Sequence, residues 1–329
     1  SRDVFGARWD LLGGDVTPRG DRASLERALL GSDEPRGLGL PTDSSGRRAL
    51  WTPQVAVLID SGIDPRLPGL RRRLNLAPLS LAMYLERNAP FTPVSGDPVR
   101  ALLNILDDDE MEGRHGTRVA SVVAADLPRL QLSFIRAIDL LDPSAATTPD
   151  RWTDFIARSR AKVVNISVTY ARLVADCDAF FGPIFGGSPD VLFVVASGNN
   201  GAQDPTGTCP ASLAGRFPNV VTVAGMAPSG RALHSHSNHG LAVAKVAAPY
   251  EGLAAEAPGS LAPPASRLAP MHGTSLSAAL VSNGALRLWA RHPELTAARV
   301  ARTLMQACQP QGLDVACGGG LDFQRLEDL

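Results

Sequence analysis

The sequence predicts an α/β protein with a mostly parallel central sheet and helices on both faces. Two observations carry that prediction. Runs of strand length, rich in β-branched residues and leucine and bounded by turn residues, recur at 55–59, 130–138, 163–168, 191–195 and 220–223. Between them, 117–125, 149–159 and 171–180 carry apolar residues at helical spacing. Alternating strand and helix favours parallel pairing, because a parallel neighbour needs the long crossover that a helix supplies. Apolar runs without polar alternation mean strands buried on both faces. With 329 residues, 44% of them hydrophobic, the chain can bury one large core.

Taken in order, residues 1–50 are rich in Gly, Pro, Asp and Arg, with one short helix at 23–30. They read as an N-terminal extension of uncertain role, wrapped over or leading into a domain that spans 51–329. The first strand, VAVLID, ends in Asp60, and RHGTRVAS then opens a helix at His115. The Ala/Pro-rich stretch 254–270 reads as a surface loop. Residues 274–290 start after a glycine and are apolar almost all round, as a buried helix is. A last helix over 296–308 has Thr296 as its N-cap, ahead of AARVARTLMQA.

Charge excludes some functions. With 32 basic and 33 acidic residues the net charge is −1, so no global field draws the chain to nucleic acid or anionic lipid. No apolar run approaches the roughly 18 residues of a membrane span, and SRDVFGARWD lacks the regions of a signal peptide. A soluble chain follows, compatible with a mature form that has lost a targeting segment. Cys177, Cys209, Cys308 and Cys317 allow three pairings and fit no zinc pattern. Cys308 and Cys317 flank the turn-rich QPQGLDVA and can bridge, which points to an oxidising compartment, in a bacterium outside the cell or in the periplasm. Four unrelated buried thiols in a cytosolic protein are the alternative.

Active sites of parallel sheets gather at the carboxyl ends of the strands. Asp60 stands there, His115 at the mouth of a helix, and Ser275 of MHGTSLSAAL at the start of the buried helix, where the dipole favours negative charge. Each alone is an ordinary turn residue, structural histidine or helix start. Together they form an Asp, His, Ser set. A serine hydroxyl attacks only when a neutral imidazole takes its proton, and the imidazole needs a carboxylate to fix its tautomer.

On these motifs, DSG, HGT and GTS in the order Asp, His, Ser, the chain resembles the subtilisin-like serine proteases. VVASGNNG is similar to the family segment ending in Gly-Asn and implies Asn199 as the oxyanion-hole side chain, with the backbone N–H of Ser275 as its partner. SHSNHG, VAAP and GGGLD resemble further family motifs, so the likeness covers about residue 51 to the C-terminus. It implies a subtilisin-like three-layer fold and a serine endopeptidase working through an acyl-enzyme, with no cofactor needed for the chemistry. The implied partners are a protein or peptide substrate, and a cleaved pro-segment or an inhibitor. Ser167 and Val168 would bind substrate along one edge, while Ala196, Ser197, Gly198 and Thr208 would wall the pocket for the residue before the cut. Those walls hold no carboxylate, so no basic preference is indicated there.

The chain departs from the pattern at NISVTYA (165–171), where bulkier residues replace the glycines of the family's Asn-x-Ser-x-Gly-Gly edge. A narrower rim and restricted selectivity are expected. LDDDEMEG, before His115, is a solvated acidic loop, an acidic rim for basic substrates, or a calcium site at Asp107, Asp108 and Asp109. His236 and His239 fall on the SHSNHG turn and His234 directly precedes it, which disfavours a metal reading. His272 either perturbs the triad or lines the cleft, and Arg71 to Arg73 read as a solvated face. Rival functions are a dedicated processing peptidase or transpeptidase and a catalytically silent peptide-binding fold; a nucleotide-binding protein lacks its P-loop.

Overall fold

Parallel strands form the centre of the molecule, a computed structural model that describes residues 54–64, 67–71, 73–74, 114–127, 129–136, 148–169, 177–204, 207–256 and 267–329. The strands are β1 (Val55–Asp60), β2 (Gln131–Arg136), β3 (Val163–Ile166), β4 (Leu192–Ala196), β5 (Val220–Met226) and β6 (Val246–Pro249). They pair in parallel in the order β2-β1-β3-β4-β5-β6. A parallel β10 (Gly319–Leu321) and an antiparallel edge strand, β9 (Cys308–Pro310), complete the eight-stranded sheet. Every residue of β1, β3 and β4 is buried, which explains the unbroken apolar runs.

The period of two along each strand divides the core between the faces. Ala56, Leu58, Val163, Val194 and Val223 pack on one side with α2 (His115–Val123), α5 (Thr274–Arg291) and α6 (Ala297–Gln306). Val57, Ile59, Val164, Ile166 and Val195 pack on the other with α3 (Pro149–Ser159) and α4 (Cys177–Gly187), where Trp152, Phe181, Phe185 and Phe193 form the aromatic layer. Each of the valine, leucine, isoleucine and phenylalanine side chains contributes roughly 1.5–3 kcal/mol by leaving water. Two short helices, α1 (Pro68–Arg71) and α7 (Phe323–Asp328), and a 3-10 helix over Ala211–Arg216 lie beside these elements. The N-caps are local: Thr148, Thr296 and Asp322 accept the backbone N–H of Arg151, Arg299 and Arg325.

Four sequence expectations are corrected. The helix expected at 171–180 runs Cys177–Gly187, through Pro183, because burial of Phe181, Ile184 and Phe185 outweighs the local break; residues 171–176 lie outside the described set. The strand expected over 163–168 ends at Ile166. The two ends of the expected loop at 254–270 belong to an antiparallel ribbon of β7 (Glu251–Glu256) and β8 (Arg267–His272), hidden in the sequence because cross-strand pairing, not β-propensity, holds it; residues 257–266 lie outside the described set. Arg73 is no solvated side chain: its Nε donates to the Leu127 carbonyl at 3.1 Å and Nη1 to that of Gly69. The helix expected at 23–30 and the acidic stretch before His115 lie outside the described residues.

Candidate active site

Asp60 is the last residue of β1 and is 1% exposed. Its Oδ1 lies 2.6 Å from His115 Nδ1 and accepts the Ser61 N–H at 2.7 Å. With Nδ1 facing a carboxylate, the imidazole carries its proton there and keeps Nε2 as its basic nitrogen. The imidazole is 35% exposed while the carboxylate is fully enclosed, so one end of the pair is anchored and the other is accessible. Ser61 Oγ accepts the Gly116 N–H at 2.9 Å, and Thr117 Oγ1 accepts the Asp64 N–H at 2.6 Å. These bonds sew the first turn of α2 onto the β1 loop. Gly116 is required, since a Cβ there would collide with the Gly62 carbonyl.

Ser275 lies in the first turn of α5, which packs against α2 and is fixed to it by Asn283, whose Nδ2 donates to the Val123 and Ala125 carbonyls at 2.9 and 2.8 Å. Gly273 precedes it at φ 116°, a conformation suited to glycine, and its N–H is held by the Tyr250 carbonyl at 2.8 Å. The Ser275 hydroxyl donates to the Ser167 carbonyl at 3.1 Å. Behind it runs a buried polar chain: Ser282 Oγ donates to Asn165 Oδ1 at 2.9 Å, Asn165 Nδ2 to Ser167 Oγ at 2.8 Å, and Ser167 Oγ to the Ser275 carbonyl at 3.4 Å. The edge of β3 and the start of α5 are therefore keyed together.

Asn199 stands on the loop after β4, exposed, and its Oδ1 accepts both the Thr274 N–H at 2.9 Å and the Thr274 hydroxyl at 3.0 Å. Fixing the oxygen leaves the NH2 end of the carboxamide to donate. Asn199 thus reaches the residue beside Ser275. Ala196 and Ser197 are buried, with Ser197 Oγ donating to the Asn238 carbonyl at 2.7 Å, and Gly198 adopts φ 104°. Thr208 is buried beside the Asn238 side chain. The Val168 side chain packs into the aromatic layer, so what it offers near Ser167 is backbone.

The remaining polar candidates have structural partners. His234 stacks on Tyr250 at 3.9 Å with Nε2 3.4 Å from Glu251, and His239 Nδ1 lies 2.8 Å from Asp314. His236 donates its backbone N–H to His234 Nδ1, and His272 is exposed opposite Glu251 in the ribbon. Among the described residues no three His, Cys, Asp or Glu side chains are grouped to hold a metal ion. The calcium candidates Asp107, Asp108 and Asp109 lie outside the described residues. Sequence reasoning missed Asn165, Ser282, Asn283 and Asn238. The signal was present: a polar residue inside an apolar run, such as Asn165 in VVNI, must be hydrogen-bonded to be buried.

A mostly parallel sheet between helical layers, with an Asp–His contact at one strand end and a serine at the start of a neighbouring helix, is the arrangement expected of an α/β serine hydrolase. The subtilase family profile matches residues 53–320, and the chain belongs to that family of serine proteases. Solved structures agree at the level of the fold. A lanthipeptide protease shares 18% identity over 84% of this chain and 87% of its own, with a TM-score of 0.58. A protease from Pseudoalteromonas arctica shares 18% identity over 92% and 96%, also at 0.58, and the A-subunit of the AB5 toxin from E. coli 22% over 84% and 92%, at 0.57. Comparison with curated proteins gives no sequence match.

Proposed function

We propose that the chain is a serine endopeptidase in which Ser275 attacks the peptide carbonyl, His115 takes and returns the proton, and Asp60 orients and stabilises the imidazolium. Asn199 Nδ2 and the Ser275 N–H stabilise the oxyanion, and water releases the acyl group. The observation that carries this reading is the 2.6 Å contact between Asp60 and His115, mounted on a helix that packs against the one bearing Ser275. A fluorophosphonate probe tests it: wild type should label and Ser275→Ala should not. Well-folded wild-type protein that stays unlabelled would instead favour a silent peptide-binding fold.

The substrate is a protein or peptide bound in extended form along backbone at Ser167 and Val168, with its residue before the cut directed to the walls at Ala196, Ser197, Gly198 and Thr208. Selectivity is restricted because Thr169, exposed at the end of this edge, stands where the family has glycine. Cleavage of peptide libraries tests this, and uniform degradation of unrelated unstructured proteins would end it. The lanthipeptide protease that shares the fold is named for one class of peptide, and a dedicated processing peptidase or transpeptidase is the second reading here. Product mass separates hydrolysis from cyclisation, since only hydrolysis adds water. Residues 51–329 form the peptidase domain in this proposal, and 1–50 an extension whose role truncation tests; a cleaved pro-segment or an inhibitor is a separate partner of the domain. Two disulfides, with no described helix long and apolar enough to cross a membrane, support a secreted or periplasmic setting.

A further inference from the structure

Asn238 belongs to the SHSNHG turn, remote in sequence from every residue assigned a role above, and is 1% exposed. Its hydrogen bonds converge on the loop that carries Asn199. Oδ1 accepts the N–H groups of Asn200 and Ala202 at 3.1 and 3.0 Å, and Nδ2 donates to the Ser197 carbonyl at 3.0 Å. Its backbone N–H donates to the Gly198 carbonyl at 2.9 Å, and its carbonyl accepts from Ser197 Oγ at 2.7 Å. One residue therefore grips the chain immediately before and immediately after Asn199. A Cβ on Gly198 would collide with Asn238 Nδ2, so the packing leaves no slack.

We propose that Asn238 is a positioning residue that aims the Asn199 carboxamide and so sets turnover through it. The proposal rests on the reading of Asn199 as the oxyanion donor. Residues 198–202 leave the sheet; main-chain bonds to His236 and His239 hold the far end at Gly201 and Ala202, while the Asn238 side chain holds the amides of Asn200 and Ala202 and the Ser197 carbonyl around Asn199, and an oxyanion donor works only if it is held in place before charge develops. A carboxamide suits the task because it presents a donor and an acceptor in one plane. A carboxylate lacks the donor for the Ser197 carbonyl, and an apolar side chain lacks both.

Without the side chain, the Asn200 and Ala202 amides and the Ser197 carbonyl lose their partner, and the loop must shift to find water or new ones. A displacement of about 1 Å at such a site costs up to about 100-fold in rate. The side-chain contact with Thr208 is the longest, at 3.4 Å, and the bonds of the Asn238 main chain to the Gly198 carbonyl and the Ser197 hydroxyl survive a change of side chain, so the binding wall should feel the change less than the Asn199 loop. The loss therefore belongs in kcat more than in KM.

Kinetics per titrated active site test this in four proteins: wild type, Asn199→Ala, Asn238→Ala and the double variant. The expected result is a fall in kcat of roughly 10- to 100-fold for Asn238→Ala with KM changed less than about 3-fold. In the Asn199→Ala background the same substitution should change kcat less than about 2-fold, because the donor it aims is gone. An equal fall in both backgrounds overturns the proposal, showing that Asn238 acts on the fold at large. Wild-type kcat in Asn238→Ala beside a reduced kcat in Asn199→Ala overturns it and leaves the oxyanion reading intact. Wild-type kcat in Asn199→Ala overturns both. If Asn238→Ala does not fold, Asn238→Asp, which keeps the shape and the acceptor, carries the same comparison.

Discussion

Asp60, 1% exposed, is held through one oxygen: Oδ1 accepts the Ser61 N–H and lies 2.6 Å from His115 Nδ1. The neighbouring glycine and hydroxyls are shaped around that pair: Gly116 lets the loop approach, and Ser61 Oγ holds the start of α2. Asp60→Asn keeps the volume but presents an amide whose N–H can reverse the tautomer of His115. It should lower kcat on the order of 10⁴-fold with little change in melting temperature, read from steady-state kinetics and thermal unfolding. Undiminished kcat would remove Asp60 from the proposed mechanism. Such residues were legible in the sequence because strand end, helix mouth and helix start are local features; their partners Asn165, Ser282 and Asn283 were not, because each bond joins segments more than 100 residues apart or depends on one that does.

At the scale of elements, α5 and β1 had the clearest sequence patterns, since a helix buried all round and a strand buried on both faces are nearly continuous apolar runs. The β7–β8 ribbon had none. Where β5 and β6 come together, Lys245 Nζ donates to the carbonyls of Phe217 and Val220, at 3.0 and 2.5 Å, and burial lowers its pKa from 10.5 to about 8. The unfolded chain holds that proton to higher pH than the folded one, so stability from this group rises as pH climbs from about 8 to 10.5. Denaturant unfolding across that window should show wild type gaining on Lys245→Met as pH rises. Parallel curves would show that this ammonium is not strained by its burial. The sequence held a hint of the site, for Lys245 is one of only two lysines and interrupts an apolar run, but nothing in it named the carbonyls that Lys245 meets.

Across the whole molecule, two disulfides cross-link segments around the sheet. Cys308–Cys317, foreseen from its turn-rich loop, spans 9 residues and joins β9 to the segment before β10. Cys177–Cys209 spans 32 and ties the start of α4 to the residue after Thr208. Restricting the unfolded chain stabilises by about 2–4 kcal/mol per bridge, more for the longer loop. The Cys177→Ser, Cys209→Ser protein should therefore lose more melting temperature than the Cys308→Ser, Cys317→Ser protein, and reductant should lower wild type toward both. The opposite ranking would mean that loop length does not decide their worth here.

The sequence by itself determined the alternation of strand and helix, and it named Asp60, His115, Asn199 and Ser275 as the candidate set and one cysteine pair as able to bridge, because hydrophobic period, turn chemistry and short spacing act within a few residues. Only the tertiary structure decided the strand order β2-β1-β3-β4-β5-β6, the ribbon built from an apparent loop, and the second disulfide. It alone also placed Asn238 around the Asn199 loop and Asn165 beneath Ser275. These depend on polar groups finding partners across the sheet once water has been excluded, and no local pattern encodes which distant partner that will be.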